Sequence, residues 1–260
     1  MRFPLASAAL AALSCPLSAQ ALNILLNNDD GWASANIRET YRLLKEAGHN
    51  VLMVVPVVDN SGQGGRAVFS TSPTLLTPGE FSSVPAGAPA LGSDPADSHK
   101  WYYNGTPAAC TFVALDHVLP RVWPNASSAP DLLVAGPNVG QNLGAFLYTL
   151  SGTMGAAYAA VGRGVPAIAV SAGSVGGQRS WEWLNETTPS GWPDPATLHA
   201  RLTVRLVERL ARATGSGERV LPLGYGLKYV WKSPPPSPFP VVVAGSRSDE
   251  VFGSRTLTGG

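Results

Sequence analysis

The chain reads as an α/β protein: a Rossmann-like, mostly parallel sheet with helices on both faces, broken by loop and short-strand excursions. Three observations predict this. Strand-like and helix-like patterns alternate along the sequence. The strand patterns are continuous apolar runs rather than alternating ones, which marks strands buried on both sides. The 260 residues, 45% of them hydrophobic, suffice for one large core.

The elements follow in order. Leu22 to Leu26 forms a first strand that ends at Asn27-Asn28-Asp29-Asp30-Gly31. A helix runs from about Ser34 to Ala47, with Ile37, Tyr41 and Leu44 on one face and Gly48 as its stop. Val51 to Val55 is the second strand. From Asp59 to about Lys100 the chain is rich in Gly, Ser and Pro, which predicts loops and short antiparallel strands, Trp101-Tyr102-Tyr103 among them. Thr106-Pro107 starts a helix to about Leu119, a capping hydroxyl preceding a proline at the first helical position. Leu132 to Ala135 is a core strand, followed from Gly136 by a Gly/Asn-rich loop. Ser151 caps a helix to Arg163, and Ala167 to Ser171 is another buried strand. Asp194-Pro195 opens a long helix to about Thr214 with Leu198, Leu202, Leu206 and Leu210 as its stripe. Arg219 to Val230 reads as a strand with a Gly-x-Gly bend, and the Pro-rich remainder has no regular pattern of useful length. The organisation is thus a leader over 1–21, a domain over 22–230 and a tail over 231–260.

Arg2, the small apolar run Leu5 to Leu13 and Ala19-Gln20-Ala21 have the layout of a secretory signal peptide. The sequons at Asn104, Asn125 and Asn185 agree with a secreted glycoprotein. Beyond the leader Cys110 is alone, among small apolar neighbours, and reads as a buried inert thiol. A formal net charge of +1 with 13% charged residues offers no basic run for nucleic acid, and no segment is long enough to span a membrane.

Oxygen donors gather where strands end. Asp29 and Asp30 follow the first strand, Ser61 lies shortly after the second, and Asn138 follows the strand ending at Ala135. In open parallel sheets ligands sit beyond such ends. Two carboxylates, a hydroxyl and an amide suit a hard cation, Mg²⁺ or Mn²⁺, rather than zinc. Gly140, Asn142 and Gly144, with Ser151-Gly152-Thr153 at a helix start, form an anion cradle.

Several of these stretches resemble the SurE family of nucleotidases and acid phosphatases. Ile24 to Gly31 looks like the family's first signature and Val134 to Gly144 like its second. Ser151-Gly152-Thr153, Asn104-Gly105-Thr106-Pro107 and Leu221 to Leu227 also fit, so the likeness spans about Leu22 to Leu227. The resemblance implies a secreted, fungal-type member that hydrolyses small phosphomonoesters such as nucleoside monophosphates by a metal-activated water. Asp29, Asp30, Ser61 and Asn138 would hold the metal. Asn142, Ser151, Gly152 and Thr153 would hold the phosphate, and Asp29, Asp30 and Asn138 would carry the catalysis. There are departures. Ala145 and Phe146 stand where bacterial members carry acidic residues proposed as acid/base, Asn60 replaces a basic residue, and no His follows His199. The Pro-rich tail replaces the arm that carries the family's oligomer contacts, so homo-oligomers are not expected through that route.

Two rival readings remain. One is a metal- or nucleotide-binding protein of the same fold without turnover. The other is a serine hydrolase built on Ser174 in Ala172-Gly173-Ser174-Val175-Gly176 with His199 downstream.

Overall fold

Alternate residues of each central strand face opposite layers. On β1 (Asn23–Asn27), Ile24 and Leu26 enter one core and Leu25 the other; on β2 (Asn50–Pro56), Val51, Met53 and Val55 oppose Leu52 and Val54. Period-2 side-chain geometry turns a continuous apolar run into two cores, one per face. The computed structural model describes residues 20–124, 130–173, 177–185, 188–189, 191–215, 217–231, 241–247 and 250–257. The leader up to residue 19, Asn125, Ser174 and the prolines at 234–236 fall outside the described residues.

Among the described residues, nine strands form one sheet in the order β3-β4-β2-β1-β5-β6-β7-β8-β9. The other strands are β3 (Leu91–Asp94), β4 (Asp97–Tyr103), β5 (Leu132–Val139), β6 (Ala167–Ala172), β7 (Gly226–Val230), β8 (Val241–Arg247) and β9 (Glu250–Leu257). From β4 to β7 every pairing is parallel, while β3, β8 and β9 are antiparallel. Helices α1 (Ala35–Glu46) and α6 (Pro195–Ala213) pack together on one face, α2 (Pro107–Val113) and α5 (Gly152–Gly162) on the other. The α/β architecture with two covered faces is therefore the one the sequence predicts.

Five local expectations need correction. The strand expected from Arg219 begins only at Gly226. Pro222 and the positive-φ Gly224 form a turn instead, with Tyr225 N–H donating to Pro222 O at 3.1 Å. The helix from Pro107 continues beyond Leu119: a π turn (Ala114–Val118) leads into α3 (Leu119–Val122), and Pro120, lacking an N–H, lies just past the change of register. Helix α6 buries Ala196, His199, Ala200, Thr203, Val207 and Ala211, a face of mostly small residues against α1. Leu202, Leu206 and Leu210 flank them half-buried. Between β5 and α5, where only a loop was expected, lies α4 (Ala145–Leu150). Finally, the tail supplies β8 and β9, a hairpin on the edge that β7 leaves open; the Val241-Val242-Val243 run suits a strand, and it pairs with β7 on one side and β9 on the other. The excursion after β2 behaves as expected, since β3 and β4 form an antiparallel hairpin, though β4 also joins the main sheet beside β2.

Candidate active site

Strand β1 has β2 on one side and β5 on the other, so the order of connections reverses there. This reversal opens a crevice at the carboxyl ends of β1 and β5. Asp29 and Asp30 lie in it directly after β1, only 2% and 1% exposed.

Each carboxylate is held by a different element. Asp29 takes the N–H of Thr153 at 3.0 Å on one oxygen and the Thr153 hydroxyl at 2.5 Å on the other, which ties it to the first turn of α5. Asp30 takes the Val139 N–H at 3.0 Å from the end of β5, and Gln178 Nε2 at 3.3 Å. Burial pushes both carboxyls up. Asp30 goes well above the usual range, with Asp29's charge adding to the effect. Burial and Asp59 likewise raise Glu80 to about 7. Glu80 Oε2 fills the space a side chain on Gly31 would need, and it and Asn28 Oδ1 are buried without a hydrogen-bond partner.

A bulge places Asn138. Ala135 pairs with Ala169, but Asn138 pairs with Ser171, so Gly136 and Pro137 together oppose the single residue Val170. Without that extra residue Asn138 would turn to the opposite face of the sheet. Gly136, at φ +102°, leaves no room for a side chain against the Val170 carbonyl. The Asn138 amide nitrogen donates to Gly140 O at 2.9 Å, which leaves its oxygen as the group on offer.

The remaining predicted residues surround this pair unequally. Ser151 caps α5, its Oγ accepting from Met154 N–H at 3.2 Å and from Asn142 Nδ2 at 2.8 Å, so the Gly/Asn loop is tied to the helix start. Gly152 is wedged in place: a Cβ there would lie 2.8 Å from Asp29 Cβ, 3.0 Å from Pro107 Cγ and 3.1 Å from Asn60 O. Thr153 was expected to face a phosphate, yet both its donors are committed to Asp29. The Asn60 N–H donates to Asp29 O at 2.8 Å and docks the next turn. Ser61 in that turn is exposed, and its hydroxyl donates to Asp59 at 2.7 Å. Gln178, Glu80 and Asp59, the last as a charge on the pair, carry no sequence signal, since connections between the main elements fix each; Lys228 lies on β7 and reads as an ordinary strand residue. Trp181 lies 4.5 Å from the Arg38 guanidinium, and Trp183 meets Phe81 with centroids 5.5 Å apart. Cys110 is fully buried, and burial raises its thiol well above the ordinary value, as befits an inert residue.

The donor set fits a hard cation. Among the described residues no three His, Cys, Asp or Glu side chains converge, so such an ion would rest on two carboxylates, with amide and hydroxyl oxygens completing the shell. Two buried adjacent carboxylates favour a cation between them over mutual repulsion.

An open, mostly parallel sheet with a buried acidic pair at its switch point defines an α/β protein whose candidate ligand site lies in that crevice. Residues 24–221 match the model of the family described as survival protein SurE, and the chain belongs to that family. It is 43% identical over 204 residues to an acid phosphatase of Yarrowia lipolytica, covering 78% of this chain and 55% of that protein. It is 33% identical over 205 residues to the 5'-nucleotidase SurE of Desulfovibrio desulfuricans, covering 78% and 66%. The chain thus spans between about half and two thirds of the length of these relatives. The crystal structure of a SurE protein from Aquifex aeolicus superposes with a TM-score of 0.55 at 26% identity, over 81% of this chain and 66% of that one.

Proposed function

We propose that the protein is a secreted, metal-dependent phosphomonoester hydrolase acting on small substrates such as nucleoside monophosphates. The observation that carries this reading is the Asp29–Asp30 pair, buried at the switch point and oriented from two directions by α5 and by β5. The named activities of the relatives, an acid phosphatase and 5'-nucleotidases, support it.

Asp29, Asp30 and the Asn138 oxygen would hold Mg²⁺ or Mn²⁺, with Ser61 joining once its hydroxyl turns from Asp59. The cation, when bound, supplies an acidified water and neutralises charge on the phosphoryl group. Thr153 keeps Asp29 aimed at the crevice. The Gly140–Gly144 loop, tied through Asn142 to Ser151, offers backbone N–H groups and the start of α5 to the phosphate oxygens. The leader-like first 21 residues are what supports secretion.

The test is phosphate release from a nucleoside monophosphate by the chain from Leu22 onward, with Mn²⁺, with chelator, and with Asp29→Asn. Metal-dependent release that is lost in the variant supports the proposal. Folded protein that binds Mn²⁺ yet releases no phosphate overturns catalysis in favour of a binding protein of the same fold.

A further inference from the structure

Lys228 is a buried cation that the proposed chemistry leaves unused. It is 3% exposed, and its ammonium donates to the Ser171 hydroxyl. None of the ion pairs among the described residues includes it. Burying a charge with only a hydroxyl for partner is costly, so the amine keeps its proton only where a compensating field lies nearby.

The register shows where that field lies. Lys228 pairs with Ala169, Ala169 with Ala135, and Ala135 with Asn27, the residue that ends β1. Paired residues share a face, here the one covered by α2 and α5. From β7 the side chain leans along this face toward the carboxyl end to reach Ser171, which is itself in register with Asn138. The amine therefore sits one strand from Asn138, under the same helix whose first turn grips Asp29. Burial pushes the amine down to about 7, and Asp29 is the charge that opposes this. A Ser-Lys nucleophile is excluded by access, since Ser171 is 0% exposed.

We propose that Lys228, clamped to Ser171 beneath the site, is the resident counter-charge of the acidic pair and a positioning residue for the phosphate. It loosens the site's hold on the divalent cation and tightens its hold on the anion. This rests on the phosphohydrolase reading above. With neighbouring strands about 4.8 Å apart, the amine beside Ser171 on β6 lies two strands, or about 10 Å, from the end of β1. A unit charge at about that separation and an effective dielectric near 20 changes an affinity on the order of tenfold.

The experiment is calorimetric titration of the chain from Leu22 onward with Mn²⁺ alone, and competitive inhibition by inorganic phosphate, in wild type, Lys228→Met, Lys228→Arg and Ser171→Ala. The expected result is opposite shifts. Lys228→Met binds Mn²⁺ about tenfold more tightly and phosphate about tenfold more weakly, Lys228→Arg stays near wild type, and Ser171→Ala moves both in the Met direction by less. Ser171→Ala carries the test should Lys228→Met fail to fold. Shifts of the same sign, or a lower melting temperature with both affinities unchanged, overturn the counter-charge role. Wild-type protein that binds neither Mn²⁺ nor phosphate overturns the functional reading with it.

Discussion

Substituting Gly152 by Ala separates placement of the site from stability of the fold. The added methyl would stand 2.8 Å from Asp29 Cβ, 3.0 Å from Pro107 Cγ and 3.1 Å from Asn60 O. Carbon atoms meet comfortably at about 3.5–4.0 Å, and none of these three obstacles is the far end of a flexible side chain. The first turn of α5 must then move back by a sizeable fraction of an ångström. Overpacking of this kind costs about 1–3 kcal/mol. Alanine's helix preference over glycine returns about 1 kcal/mol, so the net loss is about 0–2 kcal/mol. Activity suffers more, because the displaced turn carries both Thr153 donors to Asp29. A misplacement near 1 Å costs on the order of 100-fold in rate. The assay pairs thermal denaturation with metal-dependent phosphate release. A melting point within a few degrees of wild type and activity down by about two orders of magnitude are expected. A variant with wild-type activity refutes the claim that contact at Gly152 sets the Asp29 geometry.

Thr153→Val removes the hydroxyl that donates to Asp29 while keeping its volume. A hydrogen bond to a charged group contributes about 1.5–3 kcal/mol, so the melting temperature should fall by several degrees and activity with it. Ser151→Ala removes the α5 cap and the anchor for Asn142, for about 1 kcal/mol of stability and a raised KM measured by steady-state kinetics. Mn²⁺ at a hundredfold excess over its Kd should stabilise by about 2.7 kcal/mol, read as a melting shift that chelator reverses and Asp30→Asn abolishes. His199 is buried and neutral, with its pKa lowered by burial to about 4. The unfolded chain takes up this proton first, so its share of stability is intact above about pH 6.5 and is lost as pH falls to about 4. Denaturant titrations across that window should show a slope that His199→Gln flattens.

Local signals made much of the fold legible. Leu22 to Leu26 and Val51 to Val55 had the continuous apolar character of doubly covered strands, and the Asp pair followed the first of them directly. Ser151 and Asp194 announced their helices by capping, and both cap through their side chains in the structure. Features that depend on distant partners were not legible. Gly136-Pro137 has the letters of a loop, and becomes a bulge only because β6 runs alongside. Val241 to Val243 pairs as a strand with β7 on one side and β9 on the other. Lys228 alternates with apolar neighbours as an exposed strand residue does, and it is buried because its face of the sheet is the one that α5 covers. Thr153 carried the signal of an anion site, but Asp29, 124 positions earlier, takes both its donors.

The bulge at Gly136 has a consequence for anyone redesigning this protein. Deleting one residue there would restore an unbroken ladder between β5 and β6, which scoring by regularity or hydrogen bonding would reward. The same edit would rotate Asn138 toward α1 and away from the crevice. Sequence optimisation guided by backbone ideality would therefore drift toward a tidier sheet with an incomplete site, and position 136 is where that drift has to be held fixed.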